Sequence, residues 1–258
     1  MLTFEQISSH FDPKLVRQNP KGILVEYLQY EFLDSLFKQA GSENLSFIGG
    51  TAIRLIYNSQ RFSEDLDFDN FGLNYTHFKS LITKTCSEMQ VKGFNLDFSF
   101  VKKDNTFHCY VKFNNILQQS SLTGHKDEKI FLSVDAEQKR RLFSPEIKSI
   151  NKFGIFRSIL SNPASILLSQ KLLAILFRKR EKGRDFYDTS FLGGLTSPDF
   201  DYISKTTRLT KEAFMDQLYR RCSHLNFKLL AKDVSPFLFN VGEKERVIKF
   251  DLFLKGIK

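Results

Sequence analysis

Residues 47–69 read F-I-G-G-T-A-I-R-L-I-Y-N-S-Q-R-F-S-E-D-L-D-F-D, and they constrain the fold more than any other stretch. At the end of this segment Asp65, Asp67 and Asp69 alternate with Leu66 and Phe68. A strand has a side-chain period of two, so the carboxylates share one face and the apolar residues the other. That alternation demands a definite inward face. Acids crowded on one edge raise each other's pKa unless a cation lies among them. Hard divalent cations take oxygen ligands, and Mg²⁺ commonly uses one or two carboxylates together with substrate phosphates. Ahead of the acids stand a short apolar strand, Leu45–Ile48, a Gly49-Gly50 turn and a helix expected over 51–58. Glycines at a strand-to-helix turn let backbone approach a phosphate, and the helix N-terminus adds N–H groups and its dipole. The Thr51 hydroxyl is a further donor there. The stretch is a candidate metal–nucleotide site. The plain alternative is a solvated strand edge whose charges discourage aggregation.

With 258 residues and 41% hydrophobic content, including 28 Phe and no Trp, the chain can bury a real core in one large or two modest domains. Lys and Arg total 38 against 29 Asp and Glu, a net charge of +9, which favours a polyanionic partner such as nucleic acid or a nucleotide. Cys86, Cys109 and Cys222 lie far apart and the five histidines show no ligand spacing. A disulfide framework or structural zinc is not expected, which suits a reducing cytoplasm. No secretory signal or membrane-spanning run is visible.

In chain order, Asn19-Pro20 caps a helix that Gly41 is expected to stop. A helix is expected over 75–89, then a hairpin of 94–100 with 107–113, a loop over 122–129 and a strand over 130–135. That last strand points Phe131, Ser133 and Asp135 one way and Ile130, Leu132 and Val134 the other. After Pro145 the pattern reads as helix. Ser161-Asn162-Pro163 starts one helix, Gly183 breaks it, and amphipathic stretches follow over 211–220 and 227–233. The best division, within 140–161, separates a mixed α/β half (1–150) from a helical half (151–258).

Asp65 and Asp67 are the natural metal pair, and Asp135 is the candidate third acid from a neighbouring strand. Three carboxylates holding two metals would serve a triphosphate and an attacking hydroxyl. Asp69 is set aside as lying past the strand's useful end. Lys171 has Leu167, Leu168, Ala174 and Ile175 as helical neighbours, so its ammonium calls for an anion or a snorkelling path to water. Asp185, just after Gly183, either caps a helix or orients Lys171.

Gly49-Gly50-Thr51-Ala52-Ile53-Arg54, followed by Arg61-Phe62-Ser63-Glu64-Asp65-Leu66-Asp67-Phe68, resembles the signature of the AbiEii/AbiGii toxin nucleotidyltransferases of the DNA polymerase β-like superfamily. Lys171-Leu172-Leu173-Ala174, Arg178 and Arg184-Asp185-Phe186-Tyr187-Asp188 resemble the family's later lysine and Arg-Asp-x-x-Asp motifs. The resemblance implies an α+β minimal nucleotidyltransferase fold, a mixed sheet flanked by helices, with a helical C-terminal domain contributing Lys171 and Asp185. It implies Mg²⁺-dependent transfer of a nucleoside monophosphate from an NTP to an acceptor, tRNA or other RNA, as the toxin of a type IV toxin–antitoxin or abortive-infection system with a cognate antitoxin. Carried over, Gly49, Gly50, Thr51, Arg54 and Ser63 would bind nucleotide, Asp65 and Asp67 would hold metal, Lys171 would contact the triphosphate, and Asp185 would be the later acid. Thr51 stands where the superfamily usually has Ser.

Two rivals stay open. Asp127 or Asp135 followed by Glu137-x-Lys139 matches a short nuclease arrangement, and an inert nucleic-acid-binding protein could keep the same fold. Which NTP is used is not written in the sequence.

Overall fold

The computed structural model describes residues 1–125 and 128–257. Its strands are β1 (Leu45–Ile48), β2 (Leu66–Asn70), β3 (Leu96–Lys103), β4 (Thr106–Phe113), β5 (Ile130–Gln138), β6 (Glu146–Lys152) and β7 (Ile155–Ser161). They form one sheet in the order β3-β4-β5-β2-β1-β7-β6. β1 pairs antiparallel with β2, while β2–β5 and β1–β7 are parallel and the remaining pairs antiparallel. The sheet is therefore mixed, with the glycine-turn strand and the acidic strand at its centre.

The helices are α1 (Phe4–Ser8), α2 (Pro13–Gln18), α3 (Pro20–Leu36), α4 (Gly49–Tyr57), α5 (Tyr75–Val91), α6 (Ile116–Gln119), α7 (Ala164–Phe177), α8 (Gly183–Gly193), α9 (Phe200–Thr207), α10 (Lys211–Ser223), α11 (Phe227–Val234), α12 (Glu245–Ile248) and α13 (Phe250–Lys255). None among the described residues is long and apolar enough to cross a membrane.

Two compact units result. The first holds residues 1–52, 63–141 and 146–161; the second holds 53–62, 142–145 and 162–258. In the first unit α3 and α5 pack together, α3 against β7 and α5 against β3 and β4. α3 opens as its sequence demands, with Pro20 in the first turn and the Asn19 side chain accepting from the Gly22 N–H at 2.8 Å. It ends at Leu36, before Gly41. The core joins Phe47 to Phe68, ring centroids 5.4 Å apart, and Phe78 to Phe107, 5.6 Å apart.

One expectation fails here. The chain does not turn helical after Pro145: β6 and β7 come first, as an antiparallel hairpin. Its turn residue Phe153 has φ +58 and drives its ring edge-on against Tyr27 and Tyr30, at 5.4 and 5.3 Å. A buried ring of this size holds the turn despite the left-handed backbone.

In the second unit α7 packs on α8, α8 on α11 and α12, and α10 on α7. Gly183 is the first residue of α8, not merely a break. A Cβ there would lie 2.0 Å from the Leu230 carbonyl oxygen, so only glycine allows α8 to start so close to α11.

Candidate active site

The acidic strand is fixed from both sides. In register, Asp67 faces Ile48 of β1 and Asp135 of β5. Phe68, one residue on, packs with Phe47, so Asp67 projects from the opposite side of the sheet. Two carboxylates at paired positions of adjacent strands repel each other, and a cation between them would relieve that repulsion. Asp135 is hydrogen-bonded to His108 Nδ1 at 2.8 Å, and the Ser133 hydroxyl donates to the same Oδ1 at 3.1 Å. His108 is also the register partner of Asp135 on β4. This histidine was missed, because only strand register brings a lone His in a hairpin to an acid.

Gly49 carries the turn from β1 into α4 with φ +78. A Cβ at this position would lie 2.3 Å from Asp67 Oδ2 and 3.0 Å from Asp67 Cβ. The missing side chain therefore makes room for the Asp67 carboxylate. Gly50, buried, follows in the same helix. Thr51, expected to offer a hydroxyl to phosphate, is fully buried and donates it to the Asp65 carbonyl. Gln29, buried on α3, donates to the Ser63 and Glu64 carbonyls at 2.8 and 3.0 Å. The Ser63 to Asp65 segment is thus pinned by two elements, and Gln29 is a second residue the sequence did not single out.

Asp65 is exposed just ahead of β2, Asp67 is half-buried, and Asp69 is buried. Asp69 lies inside the strand, which runs on to Asn70, so the reason for setting it aside is burial and not its position past the strand's end. Among the described residues no three His, Cys, Asp or Glu side chains gather into a group able to hold a metal on their own. The oxygen-only pair Asp67 and Asp135, with Asp65 nearby in sequence, nevertheless has the donor chemistry of a Mg²⁺ site that one or two carboxylates and substrate phosphates complete.

Lys171, Asp185 and Arg54 belong to the second unit. Lys171 Nζ lies 2.8 Å from Asp188 Oδ2 and 3.1 Å from Asp185 Oδ1. Asp188 also receives two bonds from Arg61, Nε to Oδ1 and Nη2 to Oδ2, both 2.6 Å, and Arg178 meets Asp185. Burial would raise the Asp188 pKa, but Arg61 and Lys171 hold it below the usual carboxylate range. Burial would lower the Lys171 pKa, but the charges of Asp188 and Asp185 keep it raised. Arg61, Lys171 and Arg178 against two carboxylates leave this cluster one positive charge in excess. Arg54, 7% exposed, donates to Asn58 Oδ1 and the Ser59 carbonyl and stacks 4.5 Å over Phe239.

For the short nuclease arrangement, Asp127 lies outside the described residues. Glu137 and Lys139 form an exposed ion pair with each other.

Residues 31–243 match the family described as nucleotidyl transferase AbiEii toxin, type IV toxin–antitoxin system. The chain belongs to this AbiEii family. As an AbiEii protein it is a nucleotidyltransferase toxin, and the nuclease reading gives way. Among solved structures it is similar to JHP933 from Helicobacter pylori, at 16% identity and TM-score 0.57 over 96% of this chain and 93% of that one. It is also similar to a candidate nucleotidyltransferase from H. pylori, at 16% identity and TM-score 0.59 over 96% of each. At such identity these likenesses show the AbiEii chain's fold alone. No curated protein matches the sequence.

Proposed function

We propose that this chain moves a nucleoside monophosphate from an NTP to an RNA acceptor in the cytoplasm, with Mg²⁺, under the control of a cognate antitoxin. The observation that carries the reading is the register of Asp67 beside Asp135, with Asp67 seated against the side-chain-free Gly49 at the start of α4. Asp67 and Asp135, with Asp65, would hold the metal, which when bound neutralises phosphate charge. The α4 N-terminus at Gly49 and Gly50 offers N–H groups to a phosphate. Asp135, oriented by His108 and Ser133, would take the proton of the attacking hydroxyl. In the step the hydroxyl oxygen bonds to the α-phosphorus, the bond from that phosphorus to the bridging oxygen breaks, and pyrophosphate leaves. Transfer of this kind needs positioning and charge neutralisation more than covalent help.

Ser63 is read as a nucleotide contact beside the pinned acidic segment. In the second unit Lys171 would contact a phosphate, a role supported by the excess positive charge of its cluster, with Asp185 orienting it. Arg54 is retained only as an indirect contributor, because its guanidinium holds the end of α4.

The test incubates the protein with Mg²⁺, total cellular RNA and each labelled NTP in turn. Label should enter RNA and pyrophosphate should appear. Asp67→Asn and Asp135→Asn should each lose at least about 100-fold in rate while staying folded, as expected when a ligand of the charge-neutralising metal is removed. Full transfer by a folded Asp67→Asn protein, or RNA shortened without label, would sink the reading.

A further inference from the structure

The face of β3, β4 and β5 that carries Asp135 continues outward with residues the transfer chemistry does not use. Register places Tyr110 opposite Ser133 and Lys112 opposite Phe131, each successive pair two residues further from His108 and Asp135. On the neighbouring strand Val101 stands opposite His108, and Asp97 opposite Lys112. Tyr110 is 44% exposed, Phe131 64% and Val101 46%. Large apolar side chains side by side on an open sheet face are unusual unless something covers them. The His108 and Tyr110 rings are parallel within 3°, with centroids 6.3 Å apart. Phe131 is the diagonal neighbour of Tyr110, a position within reach of an aromatic ring.

We propose that His108, Tyr110 and Phe131 form a stacking platform for unpaired nucleobases of single-stranded RNA. The exposed Tyr110 and Phe131 rings, with the half-buried His108 ring parallel to Tyr110, suit base faces, and stacking of this kind tolerates any sequence. Lys112 on the same face and Lys103 at its edge supply cations for the backbone of a polyanion, in keeping with the chain's net +9. Register runs without a break from this platform to Asp135 and Asp67. A strand stacked here would therefore lie beside the carboxylates. The inference rests on the acceptor being RNA, as proposed above, and makes single-strandedness the property recognised.

The test titrates the full chain into a fluorescein-labelled, unstructured oligoribonucleotide and reads anisotropy at fixed salt, with a blunt RNA duplex in parallel. Tyr110→Ala and Phe131→Ala should each weaken single-strand binding about 5- to 100-fold and leave duplex binding unchanged. Tyr110→Phe, which keeps the ring, should bind like the parent. Both alanine variants alter exposed positions, and circular dichroism checks their fold. A folded double-alanine variant with parental affinity, or an equal loss on duplex, overturns the platform. Label transfer is measured separately on the parent. If the parent binds through these rings but transfers nothing, the platform stands and the transfer reading falls.

Discussion

Gly49→Ala separates a glycine that serves the site from one that merely turns the chain. The substitution has two consequences. Alanine at φ +78 costs roughly 1–2 kcal/mol for the left-handed backbone. Its Cβ would also meet Asp67 Oδ2 at 2.3 Å, so the carboxylate must retreat by about 1 Å to reach ordinary contact. A displacement of that size at reacting groups costs about 100-fold in rate. Gly154 supplies the control, because it has φ +75 and nothing within 4 Å of an added Cβ. Urea denaturation and label-transfer rates are measured for both variants. Gly49→Ala should lose about 1–3 kcal/mol of stability together with most of the transfer rate. Gly154→Ala should lose stability alone. If Gly49→Ala transfers at the parental rate, or Gly154→Ala is equally inactive, the coupling of glycine to carboxylate is refuted.

Other outcomes follow from buried charges and thiols. Asp188→Asn, which leaves Arg61 buried without its counter-charge, should destabilise the protein by about 3–5 kcal/mol in urea denaturation. Burial pushes the Asp34 pKa up, but hydrogen bonds from Lys38, Lys92 and Arg157 outweigh it and bring it from 3.8 to about 2. A carboxylate lowered on folding stabilises above its unfolded value, so this contribution, at most about 2 kcal/mol, fades as pH falls through that window. Asp34→Asn should flatten the acid limb of a stability–pH curve, and an unchanged limb would remove Asp34 from the account. Burial raises the thiol pKa of Cys86 to about 12 and of Cys222 to about 11, and also raises that of Cys109. A thiol-specific chromogenic reagent should therefore label all three only after urea is added.

The centre of the sheet was legible because local rules agreed there. Leu45–Ile48, the glycine turn and the Asp65-Leu66-Asp67-Phe68 alternation each point to one conformation. β6 and β7 were not legible. Ile147 is 75% exposed while Ile150 is buried, so two apolar residues on opposite strand faces stand three apart and imitate a helix. Phe156, 69% exposed, blurs the partner strand in the same way. His108 beside Asp135 and Gln29 beneath Ser63 depend on pairing between distant segments, which no local spacing records. Asp188 stood inside a recognised motif. Its bond to Arg61 spans 127 residues and became visible only in three dimensions.

That span bears on how the chain comes off a ribosome. Every strand of the sheet is complete once Ser161 has been synthesised. Residues 53–62, made long before, group with a unit whose remaining helices begin at Ala164. Arg61 therefore waits, charged and without its carboxylate, until Asp188 has emerged. A nascent chain halted between these points holds the whole sheet but not the partners of the segment linking the glycine turn to the acidic strand. Emergence of Asp188, rather than of the last strand, is what supplies Arg61 with its counter-charge.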